Sequence, residues 1–361
     1  MFVAWRDLRF AKGRFALMGA VIVMITLLVG LLSGLTAGLG RENTSAITGL
    51  PVDHLAFSAP EGGQDVSFTD SHVDRNTWEQ WARVPGVESA QPLGIAMAKA
   101  QAGFTTASLS AFGVQEGSGL APDAGSLQDG TVVMSTQAAD EMKVKAGDTL
   151  TLGGRTVTVA AVGGEAMYSH TPVVWTTLGD WQRFGAPAEG SGEQATVVAL
   201  STASGADLAA ADRKLNTKTV GSDEALQAIG SFTAENGSLQ LMRGFLFAIS
   251  ALVIGAFFTV WTIQRSGDVA VLKALGASTR YLLKDALGQA VILLVLGTGI
   301  GTVIASGIGA AVAGGAVPFV LDAATVLIPM GVMIALGALG AALSIRRITS
   351  VDPLTALGSA R

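Results

Sequence analysis

Residues 16–39 read ALMGAVIVMITLLVGLLSGLTAGL, 24 consecutive positions without a charge. A bilayer hydrocarbon core about 30 Å thick is crossed by roughly 20 apolar helical residues, so this run predicts a membrane span. A secretory signal carries an apolar region of only about 7–15 residues, and the run is therefore read as an uncleaved anchor. Arg6, Arg9, Lys12 and Arg14 precede it, and residues 5–15 read as a short amphipathic lead-in at the inner interface. Three further apolar runs follow. They lie at 244–263, within 286–320 (rich in glycine) and within 321–345, where Arg346 and Arg347 stop the last one. The expected fold class is a membrane protein, α-helical, with four transmembrane helices and an α/β extracytoplasmic domain inserted between helices one and two.

Composition agrees. Of 361 residues, 50% are hydrophobic and 14% charged, against about 25% charged in a typical soluble domain. The charge is unevenly placed: residues 40–243 hold 23 acidic and 12 basic side chains, net −11, whereas the remainder is net +6. Lys and Arg crowd the short segments 1–15, 264–285 and 346–361. The positive-inside bias predicts that these three segments are cytoplasmic and the long block outside, with both termini inside. The chain has no cysteine, which excludes disulfides, thiolate metal sites and cysteine nucleophiles. Three histidines, His54, His72 and His170, make a multi-histidine zinc cage a poor expectation.

Within 40–243 the patterns predict strands over 53–57, 66–69, 87–92, 95–101, 106–114 and 131–135. Helices are expected over 74–84 (capped by Asn76 or Thr77), 136–142, 206–215 and 223–229. Alternation across 144–159, broken by Gly153–Gly154, is a hairpin signal. In the third span Gly297, Gly301, Ala305 and Gly309 form a stripe of small residues. Such stripes let helix backbones approach in lipid; the expectation is packing within the subunit against span four, with a dimer seam as the alternative.

No Walker A sequence, nucleophile elbow or His-Glu-x-x-His occurs, so no catalytic constellation is expected. The informative cytoplasmic stretch is 264–280, QRSGDVAVLKALGASTR. It predicts a short amphipathic helix with Val269, Leu272 and Leu275 on one face and Gly276 as a left-handed C-cap. It reads either as an interfacial connector or as a helix that docks into a partner's groove. This stretch, the terminal Val351-Asp352-Pro353-Leu354-Thr355-Ala356-Leu357 and the one-plus-three layout of spans resemble the ABC permeases related to the macrolide exporter MacB, the lipoprotein-release permeases and FtsX. The resemblance implies a homodimer in the bacterial cell membrane, served by two copies of a separate ATPase subunit. It makes Asp268, Val269, Leu272, Lys273, Leu275 and Gly276 the ATPase-coupling residues.

Within that family, Trp78-Glu79-Gln80-Trp81, Gly113-Val114, Gly147 to Leu152 and Tyr168 to Trp175 are similar to the HrtB-type permeases of haem exporters, which implies haem as the transported substrate. Haem needs an apolar slot, an axial iron ligand and partners for its propionates. The candidates are Met24, Met242, Arg41, Arg243, Phe245 and Phe247 at the outer ends of spans one and two, with Trp78, Glu79 and Trp81 in the inserted block. Glu79 is the favoured iron ligand and Arg243 a propionate partner; His72, Tyr168 and His170 are further ligand candidates. The plainer reading leaves Trp78 and Trp81 as core residues, Glu79 as a solvated acid and His170 as a turn residue. Other cargo (antibiotic, peptide or lipid), or an FtsX-like transmitter acting on an extracellular partner, remain alternatives.

Overall fold

The computed structural model describes residues 12–184, 192–264, 267, 271–273, 275–312 and 317–349. The chain separates into two compact units. One comprises residues 1–39 and 238–361, the other Gly40–Gly237.

The first unit holds helices long and apolar enough to cross a membrane, four among the described residues. They belong to α1 (Lys12–Thr48), α6 (Gly230–Gln264), α7 (Thr279–Val312) and α8 (Ala323–Thr349); α2 to α5 lie in the inserted unit. Two of them exceed their apolar runs: α1 continues nine residues past Leu39, and α6 begins at Gly230. Their interior is built by Ile22, Val29, Ile254, Phe258, Leu294 and Met333. The small-residue stripe of α7 packs within the subunit, but its main partner is α1 and not α8. A Cβ on Gly297 would meet Ile22 at 2.7 Å, and one on Gly301 would meet the Val23 carbonyl at 2.7 Å and Thr26 at 2.8 Å. Helices α6 and α8 approach at Gly255 and Gly340, and the neighbouring hydroxyls of Thr259 and Ser344 lie 2.8 Å apart.

The inserted unit contains β1 (His54–Ser58), β2 (Val73–Asp74), α2 (Arg75–Trp81), β3 (Val87–Ala102), β4 (Thr105–Val114), β5 (Thr131–Met134) and α3 (Thr136–Met142). Then come β6 (Thr149–Leu152), β7 (Arg155–Val162), β8 (Met167–Tyr168), β9 (Thr171–Thr177), α4 (Leu178–Arg183), β10 (Gln194–Ala195), β11 (Val197–Thr202), α5 (Leu208–Leu215) and β12 (Thr217–Gly221). The sheet runs β12-β1-β11-β3-β4-β9-β5-β7-β6, and β6 pairs back onto β3 through Ala100–Leu152 and Gln101–Thr151. Six strands thereby close into a ring, with β4–β9 and β5–β7 parallel and the rest antiparallel. Closure is possible because β3 is 16 residues long: its first half pairs with β11 and its second half with β4 and β6.

Three expectations are corrected here. The two strands expected at 87–92 and 95–101 are one. Pro92 sits just ahead of the Leu93–Val114 pair at which the β4 ladder begins. Gly94 lies opposite Gly113, and the Trp181 side chain fills the space where a Cβ on either would stand. Residues 66–69 are not a strand; they are a loop anchored by Phe68, whose ring packs edge-on against Phe57 and Tyr168. Helix α2 is capped by Asp74, whose carboxylate accepts the Thr77 N–H at 2.8 Å, and not by Asn76 or Thr77. Strands β9, β11 and β12 add pairings that the alternation patterns did not flag.

Candidate functional site

The segment between α6 and α7 stops and restarts a helix within a few residues. Gly276 has φ +95°, its N–H reaches the Lys273 carbonyl (3.0 Å), and Ala277 N–H reaches the Leu272 carbonyl (2.9 Å). Those two bonds define a Schellman stop, which needs a left-handed residue at Gly276. Ser278 then caps α7, its Oγ accepting the Tyr281 N–H at 3.3 Å. Leu275 is 79% exposed and Leu272 37%, so among the described residues Leu275 is the open apolar position of this turn and Leu272 is partly covered. Asp268 and Val269 lie outside the described residues, as do residues 351–357.

The residues considered for haem fall into both units. In the membrane unit Met24 and Met242 are exposed on α1 and α6, as is Phe245. The Arg243 guanidinium lies 6.0 Å from the centroid of the Phe247 ring one turn on, a cation–π distance. In the inserted unit Trp78 and Trp81 are buried in the core against the sheet. Glu79 accepts from Arg75 Nε at 2.7 Å, and Arg75 also reaches Glu193 at 3.4 Å; this bond to Glu79 raises the Arg75 pKa. Arg41 pairs with Glu165 at 3.3 Å. Tyr168 is buried, which pushes its phenol pKa up, and His72 is exposed. Asp129 accepts from Thr177 Oγ1 (2.7 Å) and from Arg183 (3.1 Å), and these bonds hold its carboxyl below the usual carboxylate range.

A further polar cluster was not legible as a site in the sequence. Strands β8 and β9 join through the two-residue turn Ser169–His170, both with positive φ (+51° and +62°). A turn of this hand favours glycine or asparagine, and a left-handed non-glycine residue costs about 1–2 kcal/mol. The end of α1 and the start of α6 hold it. Ser169 N–H donates to the Asn43 carbonyl (3.1 Å) and His170 N–H to the Glu42 carbonyl (3.2 Å). Ser45 Oγ accepts the Met167 N–H at 2.9 Å. The His170 ring lies between Glu42 (Nδ1 to Oε2, 3.4 Å) and Glu235 (Nε2 to Oε2, 2.9 Å). Asn43, buried to 1% exposure, donates to Glu235 at 3.1 Å and accepts from Ser231 Oγ at 2.6 Å; the Ser231 and Ser169 hydroxyls are 2.8 Å apart. His170 is thus a turn residue, but one that ties three segments of the inserted unit. More than sixty positions separate each segment from the next, so no local spacing could have marked Glu42, Asn43, Ser231 or Glu235.

The comparisons agree with this architecture. Residues 17–218 match the MacB-like periplasmic core domain, and residues 241–353 match the FtsX-like permease C-terminal domain. The chain is 26% identical, over 99% of both chains, to the "Putative hemin transport system permease protein HrtB" of Staphylococcus haemolyticus. It is 25% identical, over 99% of both, to an uncharacterised ABC transporter permease of Mycobacterium tuberculosis. Among solved structures, the extracellular domain of the noncanonic ABC-type transporter YknZ aligns with 47% of this chain and 98% of its own, at 16% identity and a TM-score of 0.35. Four apolar helices, a ring-closed domain between the first and second, and both family matches place the chain in one class: it belongs to the MacB/FtsX-like ABC transporter permeases, multi-pass membrane proteins that work with an ATPase partner.

Proposed function

We propose that this permease exports haem, or a flat amphiphile like it, from the membrane. The observation that carries the reading is the end-to-end similarity to the HrtB permease of Staphylococcus haemolyticus. The exposed apolar side chains of Met24 on α1 and of Met242 and Phe245 on α6 suit a membrane-partitioned cargo, and Arg243, next to Met242 in sequence, suits a propionate. Two copies of the chain, related by a two-fold axis, would present each group twice to a porphyrin. Two ATPase subunits would bind beneath, with both termini and the 264–285 segment on their side of the bacterial cell membrane. The cargo would enter laterally from the outer leaflet, and closure driven by ATP would be passed on through residues 268–277.

The test is a haemin titration of the permease–ATPase complex in detergent, with the Soret band and the ATPase rate followed together. A saturable, shifted Soret band with an altered ATPase rate is expected. A titration indistinguishable from empty detergent would remove haem as cargo and direct attention to an extracellular protein partner. The coupling role is checked separately. Leu275 is a surface residue, so Leu275→Asp should leave the fold intact while abolishing copurification of the ATPase; undiminished association would refute that role.

A further inference from the structure

The turn between β8 and β9 contains a proton-counting problem. Both nitrogens of His170 face carboxylate oxygens: Nδ1 is 3.4 Å from Glu42 Oε2, and Nε2 is 2.9 Å and 3.1 Å from the two oxygens of Glu235. Carboxylate oxygens only accept, and a neutral imidazole has a single N–H. One of the two contacts would then set lone pair against lone pair. The arrangement therefore needs one proton more than a neutral histidine and two carboxylates carry, held either on the second ring nitrogen or on the Glu235 carboxyl. Asn43 Nδ2 carries two N–H groups: one donates to Glu235 at 3.1 Å and the other faces His170 Nε2 at 2.8 Å. Asn43 can therefore serve Nε2 when the ring proton is on Nδ1, but the 2.9 Å contact between that nitrogen and Glu235 still lacks a proton. The nearest basic side chain in sequence, Arg41, is engaged by Glu165.

The cluster is not a metal cage: among the described residues no three or more acidic or imidazole side chains are arranged to hold an ion. Its mechanical position is specific. Glu42 and Asn43 belong to α1, and Ser231 and Glu235 to α6, the two helices that continue from this unit into the membrane unit. We propose that His170 is a positioning residue whose additional shared proton clasps the β8–β9 turn to the ends of α1 and α6, so that the domain's grip on those helices loosens as pH rises. The proposal rests on the chain being an ATP-driven permease and is independent of the cargo.

Hydrogen exchange at the Ser169 and His170 amides, both bonded to α1 carbonyls, reads the clasp directly. We would measure it in the full permease–ATPase complex in lipid nanodiscs across about pH 5 to 8, the range in which imidazoles generally titrate, and correct for the intrinsic exchange rate. Protection should fall as pH rises, by at most about tenfold per pH unit for one linked proton. Glu235→Gln supplies a permanent N–H to Nε2 and should retain protection with a flat pH profile. Glu235→Ala should be poorly protected at every pH. A flat profile in the unmodified protein, or an unchanged slope in Glu235→Gln, would overturn the proposal. If Glu235→Gln fails to assemble, Glu42→Gln serves instead. It supplies the N–H at Nδ1, leaves Nε2–H for Glu235, and should also flatten the profile.

Discussion

Two hairpins in the inserted domain turn through two residues of the same hand, and they are built from opposite materials. Between β6 and β7 the turn is Gly153–Gly154, with φ of +56° and +82°; between β8 and β9 it is Ser169–His170, with φ of +51° and +62°. The glycine turn adopts its geometry at no steric cost, and its outside bond, Gly153 N–H to the Lys99 carbonyl of β3 (3.0 Å), belongs to the closure of the sheet. The second turn is intrinsically disfavoured and stands because its amides and side chains are bonded to α1 and α6. One turn makes its hairpin, whereas the other is held by the helices it touches, and that dependence is what a coupling element requires.

The largest effect should come from spoiling the glycine turn. Gly153→Val places a β-branched residue in the left-handed region, with its Cβ 2.8 Å from that of Phe184. The expected loss is about 2–4 kcal/mol, seen as a lower unfolding temperature of the purified chain, with the ATPase activity of the permease–ATPase complex unchanged per folded permease. Asn43→Ala should come next. It strips the clasp of its buried amide and leaves Ser231 and Glu235 short of partners, costing about 1–3 kcal/mol, and here coupling to the ATPase should suffer too. Replacing Ser169 and His170 together by glycine relieves the strain and removes the clasp at once. Stability should then change by only about 1 kcal/mol, while the pH dependence of amide protection vanishes; if it survives, the imidazole is not its source.

The smallest effect concerns the opposite end of the pH scale. Hydrogen bonds from Thr177 and Arg183 hold Asp129 below the usual carboxylate range. Its contribution is therefore present above that range and is lost as pH falls through the lowered value. The side chain is largely exposed, so Asp129→Asn should cost under about 1 kcal/mol. The variant should lack part of the acid-side decline in stability, a sign opposite to that of the clasp.

What the sequence made legible follows the same division. Features written in a few consecutive residues were readable: the apolar runs, the Gly153–Gly154 turn, helix α3 after Ser135 and the Gly276 stop. Those that depend on distant partners were not. The closing of the sheet rests on Ala100–Gln101 meeting Thr151–Leu152, and the stripe on α7 could not declare that it faces α1. Trp78 carried an apolar, helix-spaced signal that favoured the core over a cargo site, and its burial places it in the core. The clasp was hidden for a simpler reason: Glu42, His170 and Glu235 are each unremarkable polar residues until the chain brings them to one point.

The ring of strands also constrains how the protein is made. Strand β9 lies between β4 and β5, and β6 returns to β3, so the ring cannot close until residue 177 has been delivered across the membrane. The flanking strands β11 and β12 arrive later still, and α6 follows β12 within ten residues. Until then β4 and β5 have exposed edges, a state prone to mispairing. Synthesis of the domain thus ends almost where the second membrane helix begins, and the last strand can dock while α6 enters the bilayer. Slowing export of 40–237 would accordingly expose open sheet edges on the far side of the membrane, whereas slowing insertion of α7 and α8 would leave a domain already closed.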